Sequence, residues 1–96
     1  MGVGIIRLGD VCTGHEDWPP RPVITSASTV YVEGILACCE GDQLAVHCNR
    51  KPECHDGVIA AGSGMTFVEG RKLARHGDPV SCGGTMVSST SSTNCG

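Results

Sequence analysis

Two stretches decide the fold: Val30-Tyr31-Val32-Glu33-Gly34, which runs on to Gly41-Asp42, and Thr66-Phe67-Val68-Glu69-Gly70, which runs on to Gly77-Asp78. They align without a gap at a spacing of 36 residues (30 to 66, 42 to 78). Upstream, Val23-Ile24-Thr25-Ser26-Ala27-Ser28-Thr29 resembles Val58-Ile59-Ala60-Ala61-Gly62-Ser63-Gly64. A further Gly-Asp stands at 9–10. A third, degenerate copy begins as Met86-Val87-Ser88-Ser89-Thr90-Ser91-Ser92-Thr93 and stops before any hairpin. Such self-similarity marks a chain assembled from one supersecondary unit.

The unit can be read physically. Val30-Tyr31-Val32 and Thr66-Phe67-Val68 are short strands of β-branched and aromatic residues. Glu33-Gly34 and Glu69-Gly70 are tight turns, with glycine free to take positive φ. The segment after each turn returns as a strand toward Gly-Asp. Each Gly-Asp predicts a second turn, with the aspartate accepting from nearby backbone amides. No segment sustains a helical period, so the fold class is all-β and rich in hairpins. One unit is too small to bury its own apolar face; three degenerate repeats related by pseudo-threefold symmetry share one core.

Composition sharpens the need for a staple. The 96 residues make one domain, 1–96, with one Trp, one Tyr, one Phe and 14 Gly. So thin a core calls for a crosslink, a metal or a partner subunit. The net charge of −3, with Arg71-Lys72-Leu73-Ala74-Arg75 as the densest basic patch, argues against nucleic acid. No apolar stretch is long enough to span a membrane, and Met1–Arg7 lacks a signal-peptide core. Ile6 stands where a myristoylation signal wants Ser or Thr. Synthesis and retention in the cytoplasm, until something else moves the protein, is the expectation. In that setting the seven cysteines suggest metal ligation and buried free thiols more than a disulfide framework.

The residues after each Gly-Asp carry the candidate chemistry. His15 follows Asp10 by five positions, His47 follows Asp42 by five, and Cys82 follows Asp78 by four. Under a threefold these side chains converge near the axis. His55, in the insert His47-Cys48-Asn49-Arg50-Lys51-Pro52-Glu53-Cys54-His55, supplies a fourth donor. His15, His47, His55 and Cys82 form a set that suits one zinc ion, and four protein ligands make the site structural. His76 precedes Gly77 at an exposed-looking position and receives no role. Cys48 and Cys54 could replace a histidine as ligands or pair with each other. Cys38 and Cys39 should point to opposite faces of a strand, and Cys12 and Cys95 serve as small apolar fillers.

Catalysis has little to stand on. Cys54-His55 and His47-Cys48 are sequence neighbours, whereas catalytic Cys–His pairs come from distant segments. Asp10, Asp42 and Asp78 recur at one turn, which is a demand of the fold rather than of acid–base chemistry. No catalytic residue and no organic cofactor are expected.

The chain resembles the PAAR-repeat proteins through Arg7-Leu8-Gly9-Asp10, through Val30–Gly34 leading to Gly41-Asp42, and through Phe67-Val68-Glu69-Gly70-Arg71-Lys72-Leu73-Ala74-Arg75-His76-Gly77-Asp78-Pro79-Val80-Ser81-Cys82. The naming tetrapeptide is degraded here to Lys72-Leu73-Ala74-Arg75 and Leu36-Ala37-Cys38-Cys39. The resemblance implies a small metal-stapled pyramid of short strands, with zinc held by three histidines and one cysteine near its point. It implies a structural tip protein docked, one copy per trimer, on the blunt end of a trimeric β-helical spike. That spike is the tail needle of a contractile phage or the VgrG needle of type VI secretion, delivered outward through a target membrane. Thr13-Gly14-His15-Glu16-Asp17-Trp18-Pro19-Pro20-Arg21 and the 47–55 insert are similar to the phage-tail form. Nothing follows Gly96 and only six residues precede Arg7, so any effector is expected to ride separately. The alternative is a small zinc-binding adaptor for some other protein partner.

Overall fold

The computed structural model describes residues 3–14, 18–49, 51, 53–81, 83–90 and 94–95. Among them no helix occurs, and eight short strands pair as four two-stranded antiparallel sheets, three of them hairpins. β2 (Tyr31–Val32) pairs with β3 (Ile35–Leu36), β4 (Gln43–Cys48) with β5 (Cys54–Val58), and β6 (Phe67–Val68) with β7 (Arg71–Lys72). The fourth sheet joins β1 (Val3–Gly4) to β8 (Asn94–Cys95).

The Glu-Gly turns form as predicted, with one addition. Glu33 (φ 50°) and Gly34 (φ 84°) both lie in the left-handed region, as do Glu69 (φ 53°) and Gly70 (φ 81°). Two consecutive positive φ values define the type I′ hairpin turn, whose twist matches the flanking strands. Glutamate at the first position is strained there. At Glu69 the cost is offset: one carboxylate oxygen accepts from Ser28 N (2.9 Å), Ser28 Oγ (3.2 Å), Thr29 N (2.9 Å) and Thr29 Oγ1 (2.6 Å). These bonds hold the Glu69 carboxyl below its ordinary pKa, first through the Thr29 hydroxyl. The β6–β7 turn is thus clasped onto the loop that leads to β2.

The Gly-Asp corners are three copies of one geometry. Gly9, Gly41 and Gly77 take φ of 93°, 91° and 90°. Asp10 Oδ2 accepts from Arg7 N at 2.8 Å, Asp42 Oδ2 from Cys39 N at 2.6 Å, and Asp78 Oδ2 from Arg75 N at 2.7 Å. All three carboxylates are buried.

A closed ring follows from these corners. Ile6 N donates to Ala74 O, Ala74 N to Cys38 O, and Cys38 N to Ile6 O, at 3.1, 3.0 and 2.9 Å. The three segments therefore pair head to tail through Ile5↔Arg75, Arg7↔Ala37 and Cys39↔Leu73. A second tier repeats the closure through Cys12↔Met86, Val23↔Leu44 and Ile59↔Val80. The core is nine buried residues in three such triads: Ile6, Cys38 and Ala74; Cys12, Leu44 and Val80; Val23, Ile59 and Met86. In the first two triads large and small side chains share equivalent places, while the third is filled by three large aliphatic ones. Cys38 lies in this core and Cys39 in a second cluster with Ile5, Ala37 and Leu73, on opposite faces as anticipated.

The third repeat extends the sequence reading. It has no hairpin of its own, but its last strand pairs with the first strand of the chain. Val3↔Cys95 and Gly4↔Asn94 pair in the register of Val32↔Ile35 and Tyr31↔Leu36. This third pair is built from the two ends of the chain, and no local sequence window contains both of its strands. The molecule measures 39 × 25 × 23 Å. One long and two nearly equal axes are what a threefold object shows.

Candidate metal centre

Beyond each Gly-Asp corner the chain makes an arm, closed at its root by Val11↔Pro22, Gln43↔Val58 or Pro79↔Thr85. The arms are of unequal length, and the longest is the β4–β5 hairpin. Its register shifts between Leu44 and His47: Leu44 faces Gly57 and His47 faces His55, so Ala45 and Val46 stand opposite Asp56 alone. In an unbroken strand residues 44 and 47 face opposite sides. The bulge re-aims the strand so that Leu44 and His47 are both buried. It thereby carries His47 inward, across from His55.

The two imidazoles meet directly. His47 Nε2 lies 2.5 Å from His55 Nε2. His47 Nδ1 lies 2.8 Å from the Pro19 carbonyl. A carbonyl only accepts, so Nδ1 carries the proton and the neutral ring keeps its lone pair on Nε2. Two nitrogens facing each other so closely need an electrophile between them, either a proton or a cation. An imidazole whose far nitrogen is tied to a carbonyl is the arrangement that metal-binding histidines adopt.

The first arm supplies the surroundings. The Trp18 indole stacks on His55, with centroids 3.8 Å apart and planes 27° apart, and lies 5.1 Å from the His47 ring. Arg21, 2% exposed, donates through one terminal nitrogen to Ala45 O (2.8 Å) and His55 O (3.1 Å), bridging the two strands of the hairpin. The third arm closes on the first: Thr13 N donates to Thr85 O at 2.8 Å, and Thr85 N to Thr13 Oγ1 at 3.1 Å. Gly14 and Gly84 let the backbones touch; a Cβ on Gly84 would lie 2.6 Å from Gly14 O, and one on Gly14 2.4 Å from Trp18 O.

The predicted ligands therefore divide. His47 and His55 are brought together; His15 and Cys82 lie outside the described residues. Among the described residues, no group of three or more His, Cys, Asp or Glu gathers as a metal cage. The described neighbours of the other two candidates approach one another, Gly14 against Gly84, while Ser81 pairs with Val58 at the end of β5 through Val58 N to Ser81 Oγ at 3.0 Å and Ser81 N to Val58 O at 2.9 Å. The pair of histidines, one with its tautomer set by Pro19, fits a borderline-soft divalent cation.

Cys48 and Cys54 are joined in a disulfide across the hairpin, one pair beyond His47↔His55. Of the two alternatives open from sequence, pairing is the one realised. His76 is exposed, as expected, and its Nδ1 accepts from Ser88 N at 3.0 Å. Cys12, Cys38 and Cys39 are free and buried. Burial pushes the Cys38 and Cys39 thiols up from their ordinary pKa. Sequence reasoning missed the bulge, the Trp18-Pro19 contacts and the Arg21 bridge.

Among the described residues no helix is long and apolar enough to cross a membrane. A family model described as the PAAR motif matches residues 13–88. No curated protein matches the chain.

Proposed function

Because the chain belongs to the PAAR-motif family, whose motif is linked to spike-tip proteins of contractile injection systems, we propose that it is a structural part that caps a trimeric β-helical spike, one copy per trimer. The closed ring of Ile6, Cys38 and Ala74 carries this reading. A homotrimeric β-helix ends in three equivalent strand edges, open to unwanted pairing. A monomer can cover all three at once only if it repeats its own surface about a threefold. The ring and the matching strand pairs give this chain that property, including the pair assembled from both ends. Tyr31 and Phe67 occupy equivalent places on two hairpins and are 65% and 58% exposed. They supply the apolar contact for docking.

His15, His47, His55 and Cys82 would hold one zinc ion. Bound there, the ion would crosslink the three arms where packing is thinnest, and its affinity would count as folding free energy. Purification with a trimeric spike fragment tests the cap. A stable complex of one chain with three spike chains is expected. A chain that carries zinc but ignores the spike would be an adaptor for another partner.

A further inference from the structure

The Cys48–Cys54 bond has no part in the threefold plan, since neither other arm contains an equivalent. Its place in the ladder is specific. His47 faces His55, and the next pair outward is Cys48 facing Cys54. Side chains alternate along the strands: His47 is buried, and Cys48 and Cys54 are exposed. The disulfide therefore lies on the outer face, open to solvent, while the imidazoles face inward. It closes a short loop, which limits its effect on the unfolded chain as a whole. Its main influence is on the end of this hairpin, where the donor pair sits.

We propose that Cys48 and Cys54 are positioning residues for the His47–His55 pair, and that opening their disulfide loosens the grip on the metal. This rests on the zinc reading above. With the bond closed, the backbones at 47 and 55 are pinned on both sides: by Arg21 bonded to the carbonyls of Ala45 and His55, and by the crosslink one residue beyond. With it open, the outer side keeps only one backbone bond, Asn49 N to Glu53 O at 2.9 Å, and the Asn49 side chain. Asn49 Oδ1 accepts from Lys51 N at 3.0 Å and Glu53 N at 2.7 Å, and Nδ2 donates to Glu53 Oε1 at 3.0 Å. The freed thiols remain on the face opposite the imidazoles and do not replace them. Outer-shell groups that orient ligands commonly change metal affinity by about 10- to 100-fold. The disulfide acts in that capacity, with redox state as the control.

The test is the rate at which zinc passes from the intact protein to a chromophoric chelator. A water-soluble phosphine opens the bond without adding a thiol ligand: phosphine, water and disulfide give phosphine oxide and two thiols. Reduction should speed zinc transfer by about tenfold or more. The double variant Cys48→Ser/Cys54→Ser should match the reduced protein and ignore the phosphine. Asn49→Ala should change the rate little with the disulfide closed and clearly with it open. A transfer rate unchanged by reduction, with both thiols shown free by mass, overturns the proposal alone. So does a phosphine response that persists in the double variant. Protein that takes up no zinc in either state overturns the metal reading as well.

Discussion

At the ring, Ile6, Cys38 and Ala74 are three unlike side chains on one shared backbone geometry. At the arms, Val11, Gln43 and Pro79 start from equivalent places, after which the chains diverge in length and content. The symmetric part fixes backbone and leaves side chains free within a volume. The divergent part fixes side chains and lets the backbone vary, with a bulge in one arm and touching glycines in the other two. Symmetry in this molecule belongs to hydrogen bonds, and the candidate chemistry belongs to departures from it.

The sharpest way to break the contrast is to remove the metal. Cys82→Ala or His55→Ala should take zinc content from about one equivalent to none, and should lower the thermal midpoint more than the loss of any ring contact does. His76→Ala should leave zinc content unchanged. Metal analysis and a thermal scan on the same preparations decide it; equal effects at His55 and His76 would sink the ligand assignment.

A ring-side change should behave differently. Asp42 accepts from Cys39 N, and its other oxygen takes Thr25 Oγ1 and Arg71, both at 2.9 Å. Asp42→Ala leaves these donors short of partners and should cost about 3 kcal/mol, on the scale of hydrogen bonds to a buried charge. Zinc per folded chain should not change. Urea denaturation measures the loss.

The docking face offers a third separation. Tyr31→Asp with Phe67→Asp should abolish spike capture yet move stability by no more than about 0.5 kcal/mol, since both side chains are exposed. Parallel loss of fold and binding would count against these residues as contacts.

The smallest effect concerns Glu69. Its carboxyl has a lowered folded pKa, so its contribution is present above the unfolded value and fades as pH falls through the folded one. Glu69→Gln should lower stability slightly at neutral pH and hardly at all at low pH, which flattens the acid limb. An unaltered acid limb would show that the clasp onto Ser28 and Thr29 does not hold in solution.

What was legible in the sequence tracks the same division. Positive-φ corners demand glycine, and aspartate caps them, so Gly9-Asp10, Gly41-Asp42 and Gly77-Asp78 advertised the repeat. Core positions accept unlike apolar side chains at equivalent places, so Ile6, Cys38 and Ala74 gave no sign of equivalence. The β1–β8 pair was hidden because its strands lie at opposite ends of the chain. His47 was singled out by its repeat position and His55 only as a donor in the insert, and their approach depends on a bulge that no residue type announces. The Cys48–Cys54 pairing could not be told from ligation, because an exposed strand face and an inward one differ by a single register step.

The ring has a kinetic consequence. Ile6, Cys38 and Ala74 each give one hydrogen bond and receive one, so any two of them leave the circuit open. Closing it requires long chain excursions to be completed together, which delays the reward for their entropy and predicts slow folding for so short a protein. Opening it costs all three contacts at nearly the same moment. Survival of a brief mechanical blow is set by the rate of unfolding rather than by the equilibrium. Such a circuit would suit the proposed role of a tip that meets its load once.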